Sequence, residues 1–126
     1  MKENSRKILI IDDNEDIVSL LKTMLQIKGY KVLMKMDIID LEKFIKVTMP
    51  DLIIMDMLLS GADGRKICTS LKNNSLFSLI PVLMISAHPH AKNECLMAGA
   101  DMFIGKPFDV KDFFIAVETI LVTEKK

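Results

Sequence analysis

Several things are scarce or missing in this chain of 126 residues, and each absence narrows its class. Neither charge sign dominates: Lys+Arg and Asp+Glu stand at 17 each. That balance leaves no electrostatic footprint for nucleic acid or for an anionic membrane. No apolar run approaches the roughly eighteen residues of a membrane span, and the polar opening Met1–Lys7 has no apolar signal region behind it. The two cysteines, Cys68 and Cys95, sit in helical patterns without metal or redox spacing, so they read as packing residues. There is no low-complexity segment, linker or internal repeat. With half its residues hydrophobic and 27% charged, the chain is globular. Its length suits one domain, a single unit over 1–126 with a core over about 7–122. No stretch is left for an output domain, and a cytoplasmic protein without membrane insertion is expected.

What is present is a set of short apolar runs that end in polar residues. Leu52–Met55, just after Pro50 and bracketed by Asp51 and Asp56, reads as a strand buried on both faces. Ile8–Ile11 is a second such run, ending in Asp12 and Asp13. Val32–Met34 is a weaker one, Val82–Ile85 runs from Pro81 into Ser86, and Met102–Ile104 leads to Gly105-Lys106-Pro107.

Helical patterns lie between them. Asn14 is placed as an N-cap, with Glu15 and Asp16 in the first turn. Ile17, Leu20, Leu21, Met24 and Leu25 form one apolar stripe, and Gly29 stops the helix. Asp37 or Asp40 caps a short helix that turns Leu41, Phe44 and Ile45 inward. Leu58–Gly64 reads as loop. Ile67, Cys68 and Leu71 mark a third helix, and Pro89 suits the first turn of a fourth, which ends at Gly99. Asp109 caps the last helix, whose inward face is Val110, Phe113, Phe114, Val117, Ile120 and Leu121. Strands alternating with helices in this way predict an α/β fold: a doubly wound, five-stranded parallel sheet with five helices.

In such a sheet the strand ends face one side, with a crevice at the topological switch point. Asp12, Asp13, Asp56, Ser86 and Lys106 would converge there. Two carboxylates about 4 Å apart repel by roughly 4 kcal/mol at an effective dielectric near 20, so three together call for a proton or a cation. All-oxygen ligands suit Mg²⁺ or Mn²⁺ and not zinc. A cation on Asp56 would leave one of its oxygens free to attack phosphorus. Taken singly, an acidic pair before a helix, a strand-end serine and a lysine before proline are ordinary; the ordered set is specific.

On these residues the chain resembles the receiver domain of two-component response regulators, from about Lys7 to Val122. The matching text is Ile8–Glu15, Asp51–Asp56, Asp63-Gly64, Ile85–Ala87, Ala98–Asp101 and Lys106–Phe108. The resemblance implies a flavodoxin-like receiver fold with strand order 2-1-3-4-5. It implies that Asp56 accepts a phosphoryl group from a sensor histidine kinase or histidine phosphotransfer protein. In that family the residues matching Asp13 and Asp56 bind Mg²⁺ directly, the Asp12 position acts through water, and the backbone carbonyl at the Leu58 position is a further ligand. Ser86 and Lys106 match the phosphate-contacting residues, and Phe103 matches the aromatic switch. The output is a changed surface on the fourth helix, fifth strand and fifth helix, read by a downstream protein. A phosphorylation-dependent homodimer through that face stays open.

Three departures stand out. Where the family commonly has proline, this chain has Ser60-Gly61, which predicts a more mobile loop. Leu58 offers an attacking water no side-chain hydrogen bond, whereas His88 either does so or caps the following helix. The rival classes are a non-phosphorylated receiver used as a protein-binding module and an aspartyl-nucleophile phosphohydrolase of the haloacid dehalogenase type. The second wants an acid where Leu58 stands, and a cap domain. A flavin-binding domain lacks support, because no Ser/Thr/Gly-rich loop follows the first strand. The expected protein is thus a phosphoacceptor switch that assists its own chemistry, not a turnover enzyme.

Overall fold

The computed structural model describes residues 6–88 and 90–123. Strand β1 (Lys7–Ile11) is followed by α1 (Glu15–Ile27), β2 (Lys31–Lys35), α2 (Leu41–Thr48) and β3 (Leu52–Asp56). A short hairpin, β4 (Leu58–Leu59) and β5 (Ala62–Asp63), leads into α3 (Gly64–Lys72). The chain closes with β6 (Val82–Ser86), α4 (Ala91–Met97), β7 (Met102–Gly105) and α5 (Val110–Thr123). The main sheet runs β2-β1-β3-β6-β7, all parallel, which is the 2-1-3-4-5 order once the hairpin is set aside.

The apolar runs conceal a strict alternation. Leu9, Ile11, Ile53, Met55, Val82 and Met84 pack with Leu41 and Ile45 of α2, Cys68 and Leu71 of α3, and Cys95 of α4. Their neighbours Ile8, Ile10, Leu52, Ile54, Leu83 and Ile85 face the other way, onto Val18, Leu21 and Leu25 of α1 and Phe113 and Val117 of α5. Successive strand residues point to opposite faces, and helices cover both, so every position is apolar. At about 1.5–3 kcal/mol for each fully buried aliphatic side chain, these two layers supply most of the driving force for folding. Both cysteines are free and buried, as expected of packing residues.

Asn14 is the N-cap of α1, its side chain accepting from the N–H of Ile17 at 3.1 Å, and Gly29 takes φ +93° just past the helix end. Three expectations need correction. Leu20 is 53% exposed while Val18 is buried. At about 100° per residue, Leu20 lies about 120° from the centre of the stripe set by Leu21 and Leu25, whereas Val18 lies only about 40° from it. Val110 is also half exposed, while Phe108, just before α5, is the residue stacked on Phe113 at 5.4 Å. Neither Asp37 nor Asp40 caps α2. Asp40 occupies the N-cap position with left-handed backbone (φ 53°) and no side-chain bond, while Asp37 accepts from Ile39 N–H and Lys35 Nζ in the preceding turn. Pro89 lies outside the described residues; α4 begins two positions later.

Candidate functional site: the carboxyl edge of the sheet

Strand register sets the site. Ile11 is paired with Met55, Asp56 with Ile85, and Ser86 with Gly105, so the residues that follow the apolar runs rise together at one edge of the sheet. Asp12 and Ser86, 2% and 3% exposed, are the buried polar side chains among the described residues, and both sit at this edge. Asp13 is half-buried beside them. One carboxylate oxygen from each of Asp12, Asp13 and Asp56 lies within 4.8 Å of the others.

The charges here are poorly balanced. Lys106 Nζ stands 3.5 Å from Asp56 Oδ2 and 3.6 Å from Asp12 Oδ2. Those distances are long for hydrogen bonds, so the ammonium is a shared Coulombic partner facing three carboxylates. Burial, and then the charge of Asp12, push the Asp56 carboxyl above the usual carboxylate range. Lys106 and a 3.4 Å approach of the Leu58 N–H pull it back only in part. Backbone donors serve the other two acids: Asn14 N–H donates to Asp12 Oδ1 at 2.9 Å, and Ser60 N–H donates to Asp13 Oδ2 at 2.5 Å. A hard divalent cation fits this set, which offers only oxygen ligands and more negative charge than one lysine offsets.

Ser86 Oγ accepts from the N–H of His88 at 2.9 Å, and the Ser86 carbonyl accepts from Lys106 N–H at 2.8 Å, fixing the two strand ends against each other. Phe103, on β7, is partly buried and packs on the core layer beneath α4. Leu58 is 56% exposed at the start of the hairpin, paired with Asp63. The structure therefore brings Asp12, Asp13, Asp56, Ser86 and Lys106 to one edge, with Leu58 and Phe103 flanking it.

Three local features were not legible beforehand. Leu58–Asp63 forms a hairpin, not an irregular loop, with its tip bonded to Asp13. Gly64 packs so closely that a Cβ there would lie 2.4 Å from the Asp56 carbonyl oxygen, which explains the glycine. Arg65 is held by Asp63 at 2.7 Å and also pairs with Glu94 of α4, a partner 29 positions away that no local pattern announces. A shallow concavity of about 500 Å³ between α2 and α3, floored by Leu41, Ile67 and Leu71, lies apart from the acidic edge. A cation and a phosphoryl group need an open, polar edge and not that apolar groove.

A family model of the response regulator receiver domain matches residues 8–118. The chain belongs to that family. Among curated proteins, this receiver domain is 34% identical over 119 residues to the alkaline phosphatase synthesis transcriptional regulatory protein PhoP of Bacillus subtilis. That match covers 93% of the chain and 49% of the relative. It is 31% identical over 114 residues to protein PilG of Pseudomonas aeruginosa, covering 89% of the chain and 84% of PilG. The chain spans about half the length of the first curated relatives it matches. Among solved structures, the signal receiver domain of a signal transduction histidine kinase from Syntrophus aciditrophicus superposes with TM-score 0.85 at 30% identity, covering 94% of this chain and 92% of that one. The receiver domain of NtrX from Brucella abortus superposes with TM-score 0.84 at 29% identity, covering 92% and 98%. Within the receiver domain no helix of the described residues is long and apolar enough to cross a membrane.

Proposed function

We propose that Asp56 is the phosphoacceptor of this receiver domain, taking a phosphoryl group from a histidine of a sensor kinase or phosphotransfer protein in the cytoplasm. The convergence of Asp12, Asp13 and Asp56 with Lys106 and Ser86 at one sheet edge carries the reading. Asp13, Asp56 and the Leu58 carbonyl would hold Mg²⁺, or Mn²⁺ in its place, with Asp12 acting through water. When bound, the ion offsets the carboxylates and the developing charge on the phosphoryl oxygens. An ionised oxygen of Asp56 forms the new bond to phosphorus as the donor's phosphorus–nitrogen bond breaks. Burial of Asp56 favours its neutral, unreactive form, so Lys106 has to help keep it ionised. In the product Lys106 meets a phosphoryl oxygen, and Ser86 turns its hydroxyl from the His88 N–H to donate to another.

That rearrangement supplies the signal. Phosphorylation adds about −1.5 to −2 charges and three strong acceptors beneath α4. Inverting a 1:99 population takes about 5.5 kcal/mol, the scale of a few charge-assisted hydrogen bonds. Withdrawal of the Ser86 hydroxyl frees space for Phe103 to move inward. A downstream protein then reads the face of α4, β7 and α5, where Met97 and Ile115 already stand exposed. The chain acts by this change of surface and not by turnover of a small substrate.

Incubation with Mg²⁺ and acetyl phosphate, followed by intact mass measurement, tests the reading. One added phosphoryl group that is base-labile, absent in Asp56→Asn and lost with EDTA is the expected result. Failure to bind both Mg²⁺ and beryllofluoride would refute it and favour a receiver that binds partners without phosphorylation.

A further inference from the structure

The bond from Ser60 N–H to Asp13 Oδ2 joins positions 47 apart and ties the hairpin tip to the acidic edge. We propose that the Ser60 backbone N–H is a positioning group for the divalent cation: it holds one oxygen of Asp13 and leaves the other to the acidic cluster. This inference rests on the cation reading given above.

The donor is well held. Leu59 pairs with Ala62 across a two-residue turn, so the Ser60 N–H lies outside the ladder and is free for Asp13. Gly61 takes φ +75°, the left-handed conformation a type II turn requires at its third position. At the base of the hairpin Gly64 N–H donates to the Met57 carbonyl at 2.6 Å, and Gly64 packs on the Asp56 carbonyl. The hairpin therefore rides on the backbone of Asp56, and its tip fixes Asp13 relative to Asp56. A hydrogen bond to an ionised carboxylate is about twice as strong as a neutral one, and groups that orient metal-binding carboxylates commonly change affinity by about 10- to 100-fold. The requirement is for a backbone N–H and not for a serine side chain. Proline, common at this position in the family the chain resembles, has no N–H to give, so a member with proline here cannot make this bond.

Ser60→Pro and Ser60→Ala separate the two possibilities. Proline is readily accepted at the second position of a type II turn, and Leu59 before it is in a strand, as a residue preceding proline prefers. Mg²⁺ titration of the full chain by calorimetry should show about tenfold weaker binding for Ser60→Pro, with Ser60→Ala within about twofold of wild type. Thermal unfolding in EDTA checks that both variants fold. Should Ser60→Pro not fold, amide hydrogen exchange decides: the Ser60 N–H should exchange clearly faster in Asp13→Ala, which has no side-chain acceptor, than in wild type. Wild-type affinity in a folded Ser60→Pro, or equal exchange in Asp13→Ala and wild type, overturns the proposal alone. A wild-type chain that takes up no Mg²⁺ overturns the cation reading along with it.

Discussion

The middle of the sheet and its carboxyl edge are built from the same strands, yet they are held by opposite physics. From Ile8 to Ile11 and from Leu52 to Met55 every side chain is buried among apolar partners from both helix layers. One residue further on, Asp12 and Asp56 are carried by the same backbone into a place where like charges crowd and one lysine answers them. The interior is close to its optimum as a packing problem. The edge is held away from its optimum by the interior beneath it, which is how a stable fold carries a crowded cluster of like charges.

The comparison breaks most visibly in the interior. Phe113→Ala, at a fully buried position stacked on Phe108, should cost about 3–5 kcal/mol, measured by urea denaturation. At the edge the sign reverses: in EDTA, Asp56→Asn should be more stable than wild type by on the order of 1 kcal/mol, since it removes a repelled carboxylate. The pH dependence gives the check. Burial and Asp12 raise the Asp56 pKa on folding, so the folded protein holds that proton more tightly than the unfolded chain. The stabilising contribution is present in acid and is lost as pH rises through the folded-state range of Asp56. Wild type should therefore fall behind Asp56→Asn between acid and neutral pH, and Mg²⁺ should close the gap.

Asp63 sharpens the contrast, because here a carboxylate is well served. Its Oδ1 accepts from the N–H and Nε of Arg65 at 2.9 Å each, capping α3, and the Arg65 side chain holds its pKa below the usual range. Asp63→Ala should lose about 1 kcal/mol at pH 7, read by thermal unfolding. In the parent that contribution is present above the ordinary carboxylate range and vanishes as pH falls through the lowered pKa of Asp63, the reverse of Asp56. The smallest effect is expected at Glu94, more than half exposed: Glu94→Gln should change stability by less than about 1 kcal/mol, and less still at high salt.

Much of this was legible because the rules involved are local. Apolar runs ending in Asp12, Asp56, Ser86 and Lys106 identify the strands and the edge they share, whereas their order in the sheet came only from the resemblance to receiver domains. Asn14 and Gly29 mark the ends of α1 through dihedrals and donors within a few residues of themselves. What only the tertiary structure decided depends on neighbours distant in sequence. Val110 stays half exposed although it continues the apolar pattern of α5, and Phe108, outside that helix, is the ring that stacks on Phe113. Ser60 meets Asp13, and Arg65 meets Glu94, across 47 and 29 positions. By itself the sequence determined which residues would be apolar, which would be charged, and in what order they would reach the edge. The balance of charge at that edge was left to the fold, because burial and pairing are properties of the surroundings and not of the residue.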